Sequence, residues 1–149
     1  MKELLAEYQK FWSQFHYRDI KPPHTEKALL AYQEGYVMTR KDNKIVMPDF
    51  PYLVYQVPKP GFTESNFSII SIWDRPSQDM VAIGFQDRII HIIEQIEEQI
   101  DADGLLLLLD NGATCLKRGS PWINLIPGDD KDPAITRAVL NVIIENYTM

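Results

Sequence analysis

The side chains able to do chemistry are few and scattered. The chain of 149 residues has one cysteine, Cys115, and three histidines, His16, His24 and His91. Nucleophilic catalysis needs a base held against the nucleophile, and no Cys–His spacing sets up such a pair. Cys115 falls in a stretch read as a strand, which predicts a buried, inert thiol. A single cysteine excludes an intrachain disulfide and suits a reducing compartment. His91 follows Asp87 by four residues on a predicted helix, the spacing of a surface pair. No Cys/His cluster has zinc-ligand spacing. Asp101-Ala102-Asp103-Gly104 begins like a calcium loop, but the rest of that pattern is missing. Asp129-Asp130-Lys131-Asp132 has carboxylates enough for a cation, yet reads first as a solvated hairpin loop. Neither glycine-rich phosphate loop, GxGxxG or GxxxxGK[ST], occurs. These residues predict a structural or interaction protein, not an enzyme, with no cofactor and no metal.

The elements that would position these groups follow from the apolar pattern. The length favours one domain over residues 1–149. A chain of this size buries roughly 70% of its unfolded surface and needs no staple. Residues 3–17 read as a helix, because Leu4, Leu5, Tyr8, Phe11, Trp12 and Phe15 recur every three or four positions. This stripe suits a helix laid on a sheet, and its aromatic content also suits a partner-binding helix. Pro22 and Pro23 prevent its continuation. Residues 29–33 read as extended, Arg40-Lys41-Asp42-Asn43-Lys44 as a polar turn, and Ile45-Val46-Met47 as a short edge strand.

The middle of the chain reads as one unit of strand, strand and helix. Residues 50–57 are extended, with Tyr52, Val54 and Gln56 facing one way and Leu53, Tyr55 and Val57 the other. Pro58-Lys59-Pro60-Gly61 turns the chain. Residues 67–73 carry apolar side chains on both faces, which predicts a central strand covered on both sides. Val81, Phe85, Ile89, Ile92, Ile96 and Ile100 then repeat at helical spacing, with Ile90 and Ile93 widening the stripe. A long helix over 79–100 follows, stopped by Gly104. Leu105 to Leu109 read as a buried strand, 113–117 as its return, 122–126 as a separate strand after a break at Gly119-Ser120-Pro121, and 135–147 as a long closing strand. The fold class is α+β: an antiparallel or mixed sheet packed against an N-terminal helix and one long central helix.

Charge narrows the partners. With 15 basic and 21 acidic residues the net charge is −6, unsuited to binding a phosphate backbone. The N-terminus has acids where an export signal needs an apolar core, and no apolar run approaches the roughly 20 residues of a membrane span. A soluble protein is expected. Glu94, Glu97, Glu98, Asp101 and Asp103 crowd the end of the long helix, where its dipole disfavours acids. They read as a solvated face, or as a surface that meets a basic partner or repels DNA.

Phe50-Pro51-Tyr52-Leu53-Val54-Tyr55, a second strand ending in Trp73-Asp74-Arg75, and an amphipathic helix after it, all preceded by an N-terminal helix, resemble the tail terminator proteins of long-tailed bacteriophages. The resemblance covers nearly the whole chain, most weakly residues 19–48, and lies in the order of elements more than in any one motif. It implies a structural virion protein of phage or prophage: a homo-oligomeric ring, hexameric, that caps the tail tube, stops its polymerisation and presents the head–tail joining surface. The implied partners are further copies of itself, the tail-tube protein and the head or neck connector. DNA would pass through the lumen without specific binding, and no membrane is involved. The implied location is the tail–neck junction of the virion, with host cytoplasm during assembly. The family brings no catalytic residues. The expected contact elements are two hairpin loops, with Phe62, Thr63 and Glu64 in the first and Asp129, Asp130, Lys131 and Asp132 in the second. Another neck or head-completion protein is the alternative, and a small cellular ligand-binding or enzymatic α+β domain is a further one.

Overall fold

The computed structural model describes residues 2–19, 22–33, 39–41, 44–46, 48–56, 59–60, 65–75, 86–110, 112–127 and 135–148. The first helix, α1, runs over Lys2–Gln14. It ends sooner than its apolar period suggests. His16 Nδ1–H donates to the Gln14 carbonyl at 2.7 Å, and His16–Arg18 turns into a strand, β1, rather than completing the helix to residue 17. Burial of Tyr17 and pairing of β1 with β2 (Glu26–Ala28) outweigh another helical turn.

The remaining strands are β3 (Leu30–Gln33), β4 (Thr39–Lys41), β5 (Lys44–Val46), β6 (Tyr52–Tyr55), β7 (Lys59–Pro60), β8 (Ser65–Asp74), β9 (Leu105–Leu109), β10 (Gly112–Pro127) and β11 (Thr136–Thr148). The main sheet runs in the order β3-β6-β8-β11-β10-β9, with β7 paired to β8. Among the described strands only β3 and β6 pair in parallel, so the sheet is mixed. β6 and β8 form the expected hairpin, with Tyr52 opposite Trp73 and Tyr55 opposite Ile70. β4 and β5 pair antiparallel as a small separate sheet, so that Arg40, Lys41 and Lys44, read as part of a polar turn, are strand residues, and Asp42 and Asn43 lie outside the described residues.

Side-chain parity sets the core. The even-numbered residues of β8 and β11, Ile70, Ile72, Ala138, Leu140, Val142 and Ile144, are buried. They share one cluster with Tyr8, Trp12 and Phe15 of α1 and with Leu53 and Tyr55 of β6. The second helix, α2, spans Gln86–Gln99 and adds Ile89, Ile92, Ile93 and Ile96, with Ile100 just beyond its end. Full burial of each such side chain contributes about 1.5–3 kcal/mol. The architecture of the described residues is therefore mixed α+β, two helices on one face of a mixed sheet.

Polar contacts fix where the helices sit. Tyr8 donates to Ser68 Oγ at 2.7 Å, and Ser68 donates on to the Gln56 carbonyl at 2.9 Å. Arg88 forms a two-point ion pair with the buried Asp74, its Nε lying 2.7 Å from Oδ2. Gln95 receives the Arg18 amide at 2.6 Å and donates to the Arg18 carbonyl at 3.2 Å. His91 Nε2–H donates to that same carbonyl at 2.8 Å. Positions 91 and 95 lie one turn apart on α2, so one helix face grips the strand edge of β1.

Four expectations are corrected. The second helix is short: it occupies 14 described residues rather than the span 79–100, and Val81 and Phe85 lie outside the described residues. Ile90, read as part of its apolar stripe, is exposed. Gly119-Ser120-Pro121 does not end a strand. β10 continues through it with a register shift between Arg118 and Ile123, because β11 beside it supplies partners on both sides of the irregularity. Finally, the five-leucine run is not a buried strand. It lies at the end of the sheet order, where its side chains alternate in burial.

Candidate interaction surface

The face of the sheet opposite the helices has no described layer over it. β8 was expected to be covered on both sides. It is central, between β6 and β11, but its odd-numbered side chains point away from the helices. Phe67 is 48% exposed and Ile69 39%. Val139 and Ile143 on β11 are half-buried beside them. On β9 the outward residues are Leu106 and Leu108, 57% and 76% exposed. Exposed apolar side chains grouped in this way, as at Phe67 and Ile69, mark an interaction site more often than chance exposure does.

Its registers are continuous. Tyr52, Trp73, Arg137 and Ile126 lie in one row across β6, β8, β11 and β10. The rings of Tyr52 and Trp73 stack at 6.3 Å, and the Arg137 guanidinium lies 5.0 Å from the Trp73 ring centre. Such a row stiffens that end of the face through cross-strand contacts. Towards the other end Lys117 pairs with Glu145 at 3.0 Å.

Between these lies a shallow groove of about 340 Å³ lined by Phe67, Ile69, Gly119, Pro121, Asn141 and Ile143. The irregular part of β10 forms one wall. Asn141 Nδ2–H donates to the Pro121 carbonyl at 2.8 Å, and a β-carbon on Gly119 would come within 2.9 Å of the Asn141 carbonyl oxygen. The bulge is thus held tightly against β11. A second groove, about 390 Å³, lies between the end of α1 and the β1–β2 hairpin, with His16, Glu26 and Gln99 on its wall.

The residue types that could do chemistry remain apart. Cys115 is buried on β10, and burial pushes its thiol upward, away from the reactive thiolate. His91 holds the Arg18 carbonyl, and His24 Nδ1–H donates to the Asp19 carbonyl at 3.0 Å. Asp101 accepts the Asp103 amide at 2.9 Å, which makes Asp101-Ala102-Asp103-Gly104 a turn. Among the described residues no group of three or more His, Cys, Asp or Glu could hold a metal.

The acidic helix end is partly compensated. Arg118 donates to the Ile100 and Glu97 carbonyls and lies 3.3 Å from the Glu97 carboxylate, while Arg18 pairs with Glu98 at 2.9 Å. Glu94, Asp101 and Asp103 remain exposed.

The loop residues Phe62, Thr63, Glu64, Asp129, Asp130, Lys131 and Asp132 lie outside the described residues. Their flanking strand ends are placed. Ser65, which follows the first loop, pairs with Glu145, whereas Thr136, which follows the second, pairs with Asp74 at the far end of β8. The two loops therefore leave from opposite ends of the sheet. The exposed face itself escaped the sequence pattern. Its only signal was that residues 67–73 are apolar at both parities, which a covered strand shares.

Comparison with known proteins brings no assignment: no protein-family model matches the chain, and no curated protein matches it.

Proposed function

We propose that the chain is a structural subunit of a phage tail terminator: a homo-oligomeric ring that caps the tail tube, stops its growth and offers the head–tail joining surface. The observation that carries this reading is the apolar sheet face around Phe67 and Ile69, over which no described element lies. A ring subunit needs a surface that packs on a different surface of its neighbour, in contacts that close. The exits of the two loops from opposite sheet ends fit the same role, with one end toward the tube and the other toward the connector. The exposed Glu94, Asp101 and Asp103 suit a surface that DNA passes without sticking, since phosphates are repelled. The proposal assigns the chain no catalytic step and no cofactor. It places it at the tail–neck junction, assembled in the host cytoplasm.

The test is light scattering after size exclusion, on the protein alone and with purified tail-tube protein. A ring mass alone, or capped short tubes in the mixture, is expected. Phe67→Ser with Ile69→Ser should keep the fold and lose the assembly. A monomer or dimer in both samples, with tube length unchanged, would sink the reading.

A further inference from the structure

We propose that the groove between the end of α1 and the β1–β2 hairpin is a binding site for a guanidinium group, carried by arginine either free or within a polypeptide. This inference does not rest on the ring. Its basis is the lining of the groove, which has a volume of about 390 Å³ and is walled by Phe11, Gln14, Phe15, His16, Glu26 and Gln99. That volume lies at the small end of ligand pockets, which run from about 300 to 1,000 Å³. Both helix ends and the hairpin meet there. Gln14 is the last residue of α1, Gln99 is the last of α2, and His16 and Glu26 come from the paired strands β1 and β2. In that pairing His16 lies opposite Ala28 and Arg18 opposite Glu26, so His16 and Glu26 share one face of the hairpin as diagonal neighbours.

The polar groups of the groove select a cation. Among the described residues no hydrogen bond or ion pair takes up the Glu26 carboxylate. Its cross-strand neighbour Arg18 is held by both Glu98 oxygens, at 2.9 and 3.1 Å, and Lys27 by Asp19 at 3.0 Å. His16 gives its Nδ1–H to the Gln14 carbonyl, so the neutral ring keeps a lone pair on Nε2. Gln14 and Gln99 can each turn a side-chain oxygen toward a guest. No Lys or Arg stands among the described lining residues. The last turn of α1 has no basic residue, so nothing within that helix offsets the partial negative charge of its terminal carbonyls. At the end of α2 Arg118 already supplies this charge. The aromatic wall narrows the choice to a planar cation. A guanidinium donates several N–H groups in its plane while its face stacks on a ring such as that of the half-buried Phe11. An ammonium is a strongly hydrated point charge with no face to stack.

The probe is arginine blocked as its N-acetyl methylamide, titrated into the full chain and followed by backbone amide NMR and calorimetry. The expected result is a dissociation constant on the order of 1 mM, raised by salt, with shifts centred on Gln14, His16, Glu26 and Gln99. The blocked citrulline analogue, which has the same shape without the charge, and the blocked lysine analogue should each bind at least about fivefold more weakly. Glu26→Gln, on an exposed strand position, should cost about tenfold with the circular dichroism spectrum unchanged. Asp103→Asn removes an exposed acid that does not line the groove and should change affinity by less than about twofold. Free arginine separates the two sources. Binding tighter than that of the blocked compound identifies the free amino acid, equal or weaker binding identifies a side chain borne on a polypeptide, and either supports the site. Absence of shifts in the groove at about 10 mM probe, equal binding by the citrulline or lysine analogue, or full binding by Glu26→Gln would overturn the proposal. So would equal losses from Glu26→Gln and Asp103→Asn, the mark of general attraction to an acidic protein.

Discussion

The guanidinium of Arg118, on β10, closes the C-terminal end of α2 by donating to the Ile100 carbonyl at 2.6 Å. A second nitrogen donates to the Glu97 carbonyl at 2.9 Å, and the ring of Trp122 lies 5.9 Å from its carbon. The last carbonyls of a helix lack intrahelical donors and carry partial negative charge, so a strand residue supplies here what the helix sequence does not. Arg118→Met should lower stability by about 1–3 kcal/mol. Urea denaturation checks this, with Arg118→Lys intermediate because it keeps the charge but not the two-point geometry. A loss below about 0.5 kcal/mol would show that water replaces the cap.

Asp74 and Arg88 form a pair whose carboxylate is 1% exposed and whose guanidinium side chain is 17% exposed. The hydrogen bond to Asp74 holds Arg88 still more firmly in its charged form. Removing one partner leaves the other charge buried, so Asp74→Asn or Arg88→Met should each cost about 3–5 kcal/mol. Asp74→Leu combined with Arg88→Met should cost less than the sum of the single changes. A double-mutant cycle measures the coupling, and additivity would refute it.

Tyr8 is fully buried, and burial pushes its phenol above the ordinary range, with the hydrogen bond to Ser68 opposing that shift. In the unfolded chain the phenol ionises near pH 10. Above that pH the unfolded state holds fewer protons than the folded one. Stability is therefore fully present below about pH 10 and falls as the pH rises, by about 1.4 kcal/mol per unit for this group. Tyr8→Phe should cost about 0.5–1.5 kcal/mol at neutral pH and show a shallower alkaline decline. Parallel curves for the two proteins, from urea midpoints on either side of pH 10, would refute this.

Gly104 has φ +92°, and a β-carbon there would lie 2.7 Å from Cys115 Sγ and 2.9 Å from the Leu116 carbonyl oxygen. Neither the backbone angle nor the neighbouring backbone can yield cheaply. Gly104→Ala should cost about 2–4 kcal/mol, more than positive φ alone. Thermal unfolding of the variant decides it: a change in Tm of a degree or less would mean that the turn relaxes.

Cys115 should react slowly. Its thiol is buried and pushed toward the neutral form, so labelling of the native protein by a thiol reagent should be on the order of a hundredfold slower than in urea. Comparable rates in both states would mean that the β9–β10 end of the sheet opens readily.

Where one period of side chains suffices, the sequence alone determined the outcome. Tyr8, Trp12 and Phe15 mark the buried face of α1, and Ala138, Leu140, Val142 and Ile144 mark the buried parity of β11, because each reports a local geometry. The pairing of β6 with β8 was legible for the same reason, but Lys59 and Pro60, read as part of the turn between them, form β7 and pair with Phe67 and Asn66 of β8. Burial on the second face was not. Residues 67–73 carry apolar side chains at both parities and the five leucines at every position, so no period distinguishes a covered strand from one over which no described element lies or one at an edge. That depended on what else packs there: the two described helices, both committed to the even-numbered face, and an order of described strands that leaves β9 last. The partners of Arg118 and Asp74 were equally hidden. Eighteen to twenty-one residues separate Arg118 from the carbonyls it caps and fourteen separate Asp74 from Arg88, distances along the chain that only the folded sheet and helix bring to contact.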